Sequence, residues 1–179
     1  MADISGKKVA FLLKRGFEQP ELTEPWAVVE SAGGTPVLVS EEYGTITGLI
    51  HDWDRGDDFK VDVTLDDADP ADYDALVLPG GTLNADKIRT NELAQAFVKH
   101  FFETNKPVAS ICHGPWILIE IGAVKGRTMT STTRIRTDLV NAGATWVDEE
   151  VVVDGNLITS RSPRDVAAFN AALISALES

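Results

Sequence analysis

The chain has 179 residues, with 16 Lys and Arg against 28 Asp and Glu, giving a net charge of −12. A single domain spanning 1–179 is expected at that length, and 44% hydrophobic with 25% charged residues excludes extended disorder. So acidic a chain lacks the basic footprint that nucleic acid or an anionic membrane surface requires, and its one cysteine excludes an internal disulfide framework or a multi-cysteine metal site.

Taken in chain order, the apolar run Lys8–Leu13 predicts a first strand. It is too short for a secretory leader, Lys14-Arg15 interrupts it, and no later stretch approaches the roughly 18 apolar residues of a membrane span, so a cytoplasmic location is expected. Pro25 near the start and Gly33-Gly34 after the end bracket a helix over Thr23–Ser31. Thr35–Ser40 predicts the second strand. Residues 41–74 are acidic and irregular; Asp52, Asp54, Asp57 and Asp58 read as a charged surface loop, and Phe59–Val63 as part of a small hairpin or an edge strand.

Ala75–Leu78 is a third apolar strand, ending at Pro79-Gly80-Gly81. A helical period over Asn91–Glu103 turns Leu93, Ala96, Phe97 and Phe101 inward. Pro107–Ile111 is a fourth buried strand and Pro115–Ile121 an apolar helix closed by Gly122. Val151–Val153 and Leu157–Thr159 flank Asp154-Gly155 as a hairpin, and Ser162-Pro163 opens a last helix. Short apolar strands alternating with helices indicate βαβ units, hence an α/β/α sandwich of three layers around a mostly parallel sheet.

Ligands of such sheets collect beyond the carboxyl ends of the strands. Cys112 lies there, where a strand meets a helix, and the unpaired N–H groups of that helix would favour thiolate. A free cysteine is also commonly a buried small hydrophobe, so position alone leaves reactivity open. His113 follows directly, and only a sharp turn would bring neighbouring side chains together. Gly80 and Gly81 would let backbone amides approach a substrate oxygen, or simply form a turn. Glu18 and Glu21 follow the first strand at the same edge; a carboxyl buried beside a thiol could carry a proton, whereas a helix N-terminus would leave Glu21 solvated. No dinucleotide fingerprint, Walker loop or metal-ligand pattern is present, so neither cofactor nor metal is expected.

Leu78-Pro79-Gly80-Gly81 together with Ile111-Cys112-His113-Gly114-Pro115 closely resembles the ThiJ/PfpI family of the class I glutamine amidotransferase-like superfamily. The likeness also takes in Gly16-Phe17-Glu18, Asp72–Gly81, Asn141–Ala144 and Val151–Gly155. It implies a flavodoxin-like sandwich, Cys112 as nucleophile on a strained elbow, Glu18 hydrogen-bonded to it, His113 as base, and amides around Gly81 and His113 as the oxyanion pocket. Asp86 would supply an acid from a neighbouring subunit, although it replaces a glutamate. Trp116 stands where many relatives have a smaller polar residue and narrows the substrate pocket. Ser131-Thr132-Thr133 occupies the place of a histidine used by the deglycase-like branch.

The resemblance further implies a homo-oligomer, dimer or hexamer, and a cytoplasmic stress-response enzyme. Its substrates would be peptides, or methylglyoxal and its adducts, since a thiol adding to a carbonyl serves either. The alternative is a redox-sensing or chaperone-like module working through oxidation of Cys112.

Overall fold

The computed structural model describes residues 2–178. In chain order it contains β1 (Lys8–Leu12), β2 (Phe17–Glu18), α1 (Pro20–Ser31), β3 (Thr35–Ser40), β4 (Thr45–Ile50), β5 (Asp54–Lys60), β6 (Val63–Thr64) and β7 (Ala75–Leu78). There follow α2 (Thr82–Ile88), α3 (Glu92–Glu103), β8 (Val108–Ile111), α4 (Trp116–Glu120), β9 (Thr128–Met129), α5 (Arg136–Asn141), β10 (Thr145–Trp146), β11 (Val151–Asp154), β12 (Leu157–Ser160) and α6 (Val166–Glu178).

Seven strands form the central sheet in the order β11-β12-β8-β7-β1-β3-β6, parallel except for β11. Strands buried on both faces need apolar residues at every position, which is why β1, β7 and β8 read as continuous runs. Alternation then sends Ala10 and Leu12 into one core layer with Leu76, Phe97 and Phe101. Phe11 and Leu13 enter the other, with Val77, Phe169 and Leu173.

From β1 the chain winds outward through β3 and β6, then returns to the other side of β1 and continues through β7, β8 and β12. The direction reverses between β1 and β7, and a crevice opens at such a reversal beyond the carboxyl ends of the strands. Three connections meet there: the segment after β1, the Gly80-Gly81 turn after β7, and the residues after β8.

Several boundaries depart from expectation. Helix α1 starts at Pro20, whose missing N–H is harmless in a first turn, and Pro25 lies inside the helix. The inward face of α3 is Ala94, Phe97, Val98 and Phe101, with Leu93 exposed; capping by the Asn91 side chain on the Ala94 amide (3.0 Å) sets this phase. The acidic stretch is an ordered hairpin rather than a loop: β4 and β5 pair antiparallel and, with β2, make a separate three-stranded sheet. The Phe59–Val63 edge strand divides between the end of β5 and the start of β6.

Candidate active site

Beyond β8 the backbone turns abruptly. Cys112 has φ 61°, a left-handed conformation that costs a non-glycine residue about 1–2 kcal/mol. The surroundings hold it there. Its amide donates to Ser160 O (3.0 Å), its carbonyl accepts from Thr132 N (3.1 Å), and Gly114 N closes the turn on Ile111 O (2.9 Å). A methyl group on Gly114 would lie 2.5 Å from Leu78 O, so only glycine passes. The turn brings two sequential side chains together: Cys112 Sγ lies 3.3 Å from His113 Nδ1. Both are nearly buried, at 9% and 2% exposure.

The carboxyl beside the thiol is that of Glu21, where Glu18 was expected. Glu21 lies in the first turn of α1, fully buried; its Oε2 accepts from Gly80 N (2.6 Å), and its side chain interacts with that of Cys112. Glu18 faces away from the sulphur. Its two oxygens accept from the amides of His51 (2.9 Å) and Asp52 (2.8 Å) at the tip of the β4–β5 hairpin. Two residues separate these carboxylates, but β2 pairing with β4 commits Glu18 to the hairpin while the start of α1 swings Glu21 under the nucleophile.

Gly80 is the hub of the crevice. A methyl group there would lie 2.6 Å from Glu21 Oε2, 2.8 Å from Cys112 Cβ and 2.9 Å from His113 N. Its amide is taken by Glu21 and is not free for a substrate oxygen, contrary to expectation. The Gly81 amide, by contrast, makes no hydrogen bond among the described residues. Asn84, which sequence reasoning passed over, anchors this loop: Nδ2 donates to Pro79 O (3.1 Å) and Gly80 O (2.9 Å), and Oδ1 accepts from Lys14 N (2.8 Å).

The reacting groups are buried, and burial governs their charge. Burial pushes the Cys112 thiol well above its ordinary range, reinforced by the carboxyls of Glu21 and Asp52 and opposed by the His113 amide. The expected thiolate preference therefore fails. Helix α4 begins only at Trp116 and spans five residues, so its dipole is small and distant. Burial also raises Glu21 well above the usual carboxylate range, against the hydrogen bond from Gly80. His113 is lowered, again by burial first, with Asp52 opposing and Arg134 assisting. Burial thus favours the uncharged form of all three groups, the thiol, the carboxyl and the imidazole.

Residues 7–176 match the DJ-1/PfpI family. The chain belongs to that family. Among its DJ-1/PfpI relatives is "Deglycase PfpI" of Pyrococcus furiosus, 45% identical over 162 residues, which are 90% of this chain and 94% of that protein. "Putative cysteine protease YraA" of Bacillus subtilis is 42% identical over 92% of this chain and 94% of its own. Among solved structures, a two-domain protein from Anabaena variabilis with DJ-1/ThiJ/PfpI-like and ferritin-like domains superposes with a TM-score of 0.89 at 37% identity, covering 96% of this chain and 48% of that one. Drosophila melanogaster DJ-1beta gives 0.86 at 26% identity over 96% and 90%. The residues that match the family include the strained turn after β8 and its touching Cys112 and His113 side chains.

The remaining expected residues divide. Trp116 packs edge-on against His113 (centroids 5.4 Å apart), is covered by Arg89 (5.1 Å) and donates from Nε1 to Asp138 (2.8 Å), forming a fixed wall of the crevice. Asp86 is on the exposed face of α2, and its carboxylate has no hydrogen-bond partner among the described residues. What faces the outer nitrogen of His113 within the chain is Thr82, with Oγ1 3.4 Å from Nε2.

Proposed function

We propose that this chain is a cysteine-dependent enzyme of small carbonyl compounds, an α-oxoaldehyde glyoxalase or deglycase in type, working in the cytoplasm. The observation that carries this is the near-burial of the reacting pair, Cys112 at 9% and His113 at 2% exposure, 3.3 Å apart. Such burial favours a two- or three-carbon aldehyde over a peptide, which needs a groove on both sides of the scissile bond. The deglycase names of relatives agree with this choice.

His113 Nδ1 takes the thiol proton as Sγ adds to the aldehyde carbon, and the carbonyl oxygen gains the charge beside the Gly81 amide. A thiol raised by burial calls for this concerted base, since little thiolate is present beforehand. The adduct is a hemithioacetal. Moving the C1 proton to C2 converts it to the thioester of a 2-hydroxy acid, and water then releases the acid and restores the thiol. Glu21, beside the sulphur, is placed to shuttle that proton, its carboxylate form taking it from C1 and the resulting acid returning it to C2.

Half-exposed Leu83 and Leu93 support a homo-oligomeric assembly, in which Asp86 of α2 would reach only a neighbouring subunit's site; sedimentation of the full chain tests it. The function is tested by methylglyoxal consumption with lactate detection, comparing wild type, Cys112→Ala and Glu21→Gln, beside a fluorogenic peptide. Lactate from wild type alone is expected. Peptide cleavage without lactate would overturn the reading in favour of a protease. Silence on both substrates with a readily oxidised Cys112 would overturn it in favour of a redox sensor.

A further inference from the structure

The tip of the β4–β5 hairpin carries two consecutive non-glycine residues in the left-handed region, His51 (φ 55°) and Asp52 (φ 59°). Asp and His tolerate that region better than most residues, yet strain in tandem persists only where the surroundings impose it. Here they do. Both amides are clamped by the Glu18 carboxylate, and Trp53 N closes the turn on Ile50 O (3.2 Å). The effect is to aim the Asp52 side chain across the crevice at the start of α2. Its Oδ1 accepts from Thr82 N (2.8 Å) and its Oδ2 from Thr82 Oγ1 (2.9 Å).

A hydroxyl has one proton. With that proton given to Asp52, the lone pairs of Thr82 Oγ1 are what His113 Nε2 meets at 3.4 Å, so Nε2 must carry a hydrogen and donate it. A neutral imidazole protonated at Nε2 has a bare Nδ1, and Nδ1 is the atom facing the Cys112 sulphur. We propose that Asp52 and Thr82 are positioning residues that fix the His113 tautomer in which Nδ1 is the base for Cys112, with Glu18 holding the strained turn that presents Asp52. On this assignment the thiol proton moves from Sγ to Nδ1, Nε2 keeps its own, and the Thr82 hydroxyl and Asp52 carboxylate exchange nothing. The contact at 3.4 Å shortens as the ring becomes charged, since an imidazolium is the stronger donor.

Other charged or titratable groups around the ring are Arg134, which disfavours its protonation, and Cys112 with Glu21 behind it. Asp52 alone among the groups acting on the ring favours the imidazolium. The inference rests on the proposed role of His113 as base, and it gives the buried histidine an acid from its own chain in addition to any that assembly supplies. It also accounts for Glu18, whose carboxylate acts four contacts away from the sulphur.

A purely structural account is available: Asp52 serves as cap for α2, whose N-cap residue, Gly81, has no side chain to do so. Thr82→Val separates the two accounts, because it keeps the capped amide and removes only the hydroxyl. Iodoacetamide alkylation of Cys112 in the full chain, followed from pH 6 to 10, reads the base without requiring a carbonyl substrate. Thr82→Val should slow alkylation at pH 7 by about tenfold and move the profile to higher pH. Thr82→Ser should restore the rate, and the Thr82→Val midpoint of thermal unfolding should stay with wild type. In a long-range nitrogen–proton spectrum of labelled histidine, His113 should show the Nε2–H tautomer. A wild-type alkylation profile in Thr82→Val, or an Nδ1–H tautomer in wild type, would overturn the inference. Absent methylglyoxal turnover with the expected alkylation shifts would remove the proposed substrate and leave this positioning chain standing.

Discussion

The amide of Gly80 donates a 2.6 Å hydrogen bond to Oε2 of Glu21, a partner 59 positions earlier in the chain. This one bond ties the segment after β1 to the turn after β7, across the reversal point of the sheet. It also sets the chemistry, because it holds a carboxyl where water does not reach and the sulphur does.

The buried Glu21 carboxyl imposes a pH dependence on stability. Its folded pKa is raised well above the ordinary 4.5, so the unfolded chain releases the proton first as pH rises. Between the ordinary value and the folded value the folded state binds more protons, and stability falls with pH by up to about 1.4 kcal/mol per unit. Glu21→Gln abolishes that slope. Urea midpoints at pH 5 and pH 8 should converge in the variant and diverge in wild type; parallel behaviour of the two proteins would show that Glu21 is ionised throughout.

Gly80→Ala should disable the site even if the fold survives. The added methyl meets Glu21, Cys112 and His113 at 2.9 Å or less, and two of those contacts involve backbone or Cβ atoms that cannot swing aside. We expect destabilisation of about 1–3 kcal/mol from overpacking and a fall in Cys112 reactivity on the order of a hundredfold from displaced groups. Thermal unfolding and thiol alkylation measure the two separately. An alanine variant with wild-type alkylation would show that the crevice is looser than these distances allow.

Asn84→Ala leaves three backbone groups, Lys14 N, Pro79 O and Gly80 O, without their side-chain partner. At about 1–3 kcal/mol for a buried polar group left unpaired, a loss of about 3 kcal/mol in urea unfolding is expected. Activity should fall too, since the Gly80-Gly81 turn loses its anchor. A loss below half a kilocalorie per mole, about the size of a neutral surface change, would mean that water replaces the amide at no cost.

Free Cys112 should alkylate slowly at neutral pH, with a rate still climbing above pH 9, because burial and two carboxyls hold the thiol above its ordinary value. Glu21→Gln removes one of those carboxyls and should move the profile toward lower pH. A rate that levels off below pH 7 would instead establish a preformed thiolate.

The sheet was legible because burial on both faces leaves no freedom: β1, β3, β7 and β8 had to be apolar runs, and the residue after β8 had to lie at the crevice. The strand-to-helix junction placed Cys112 there, whereas the elbow came from the family resemblance; Gly114, the residue that lets the turn close, gives no local signal of its own. The choice between Glu18 and Glu21 was less accessible. Two prolines, Pro20 and Pro25, competed to open α1, and only the first places Glu21 in the opening turn, pointed at the sheet edge. Taking the earlier proline would have found it. Helix α2 left little trace, since seven residues with an outward Leu83 show no apolar period, and Asn84 and Thr82 were lost with it. Asp52 was hidden differently. It belongs to a hairpin tip without the Asn-Gly or Asp-Gly signal that normally marks one, and its acidic neighbours resemble a solvated loop.

The hairpin that carries Asp52 contributes little to either core, and most of β5 faces solvent. An element held mainly by hydrogen bonds, with few buried apolar side chains, opens at a lower free energy than the sandwich beneath it. Warming should therefore silence the protein before it melts: the β4–β5 amides exchange first with deuterium, the imidazole loses its fixed orientation, and the nucleophile fades while the parallel sheet remains intact. Reversal on cooling would be complete, because nothing that defines the fold has come apart.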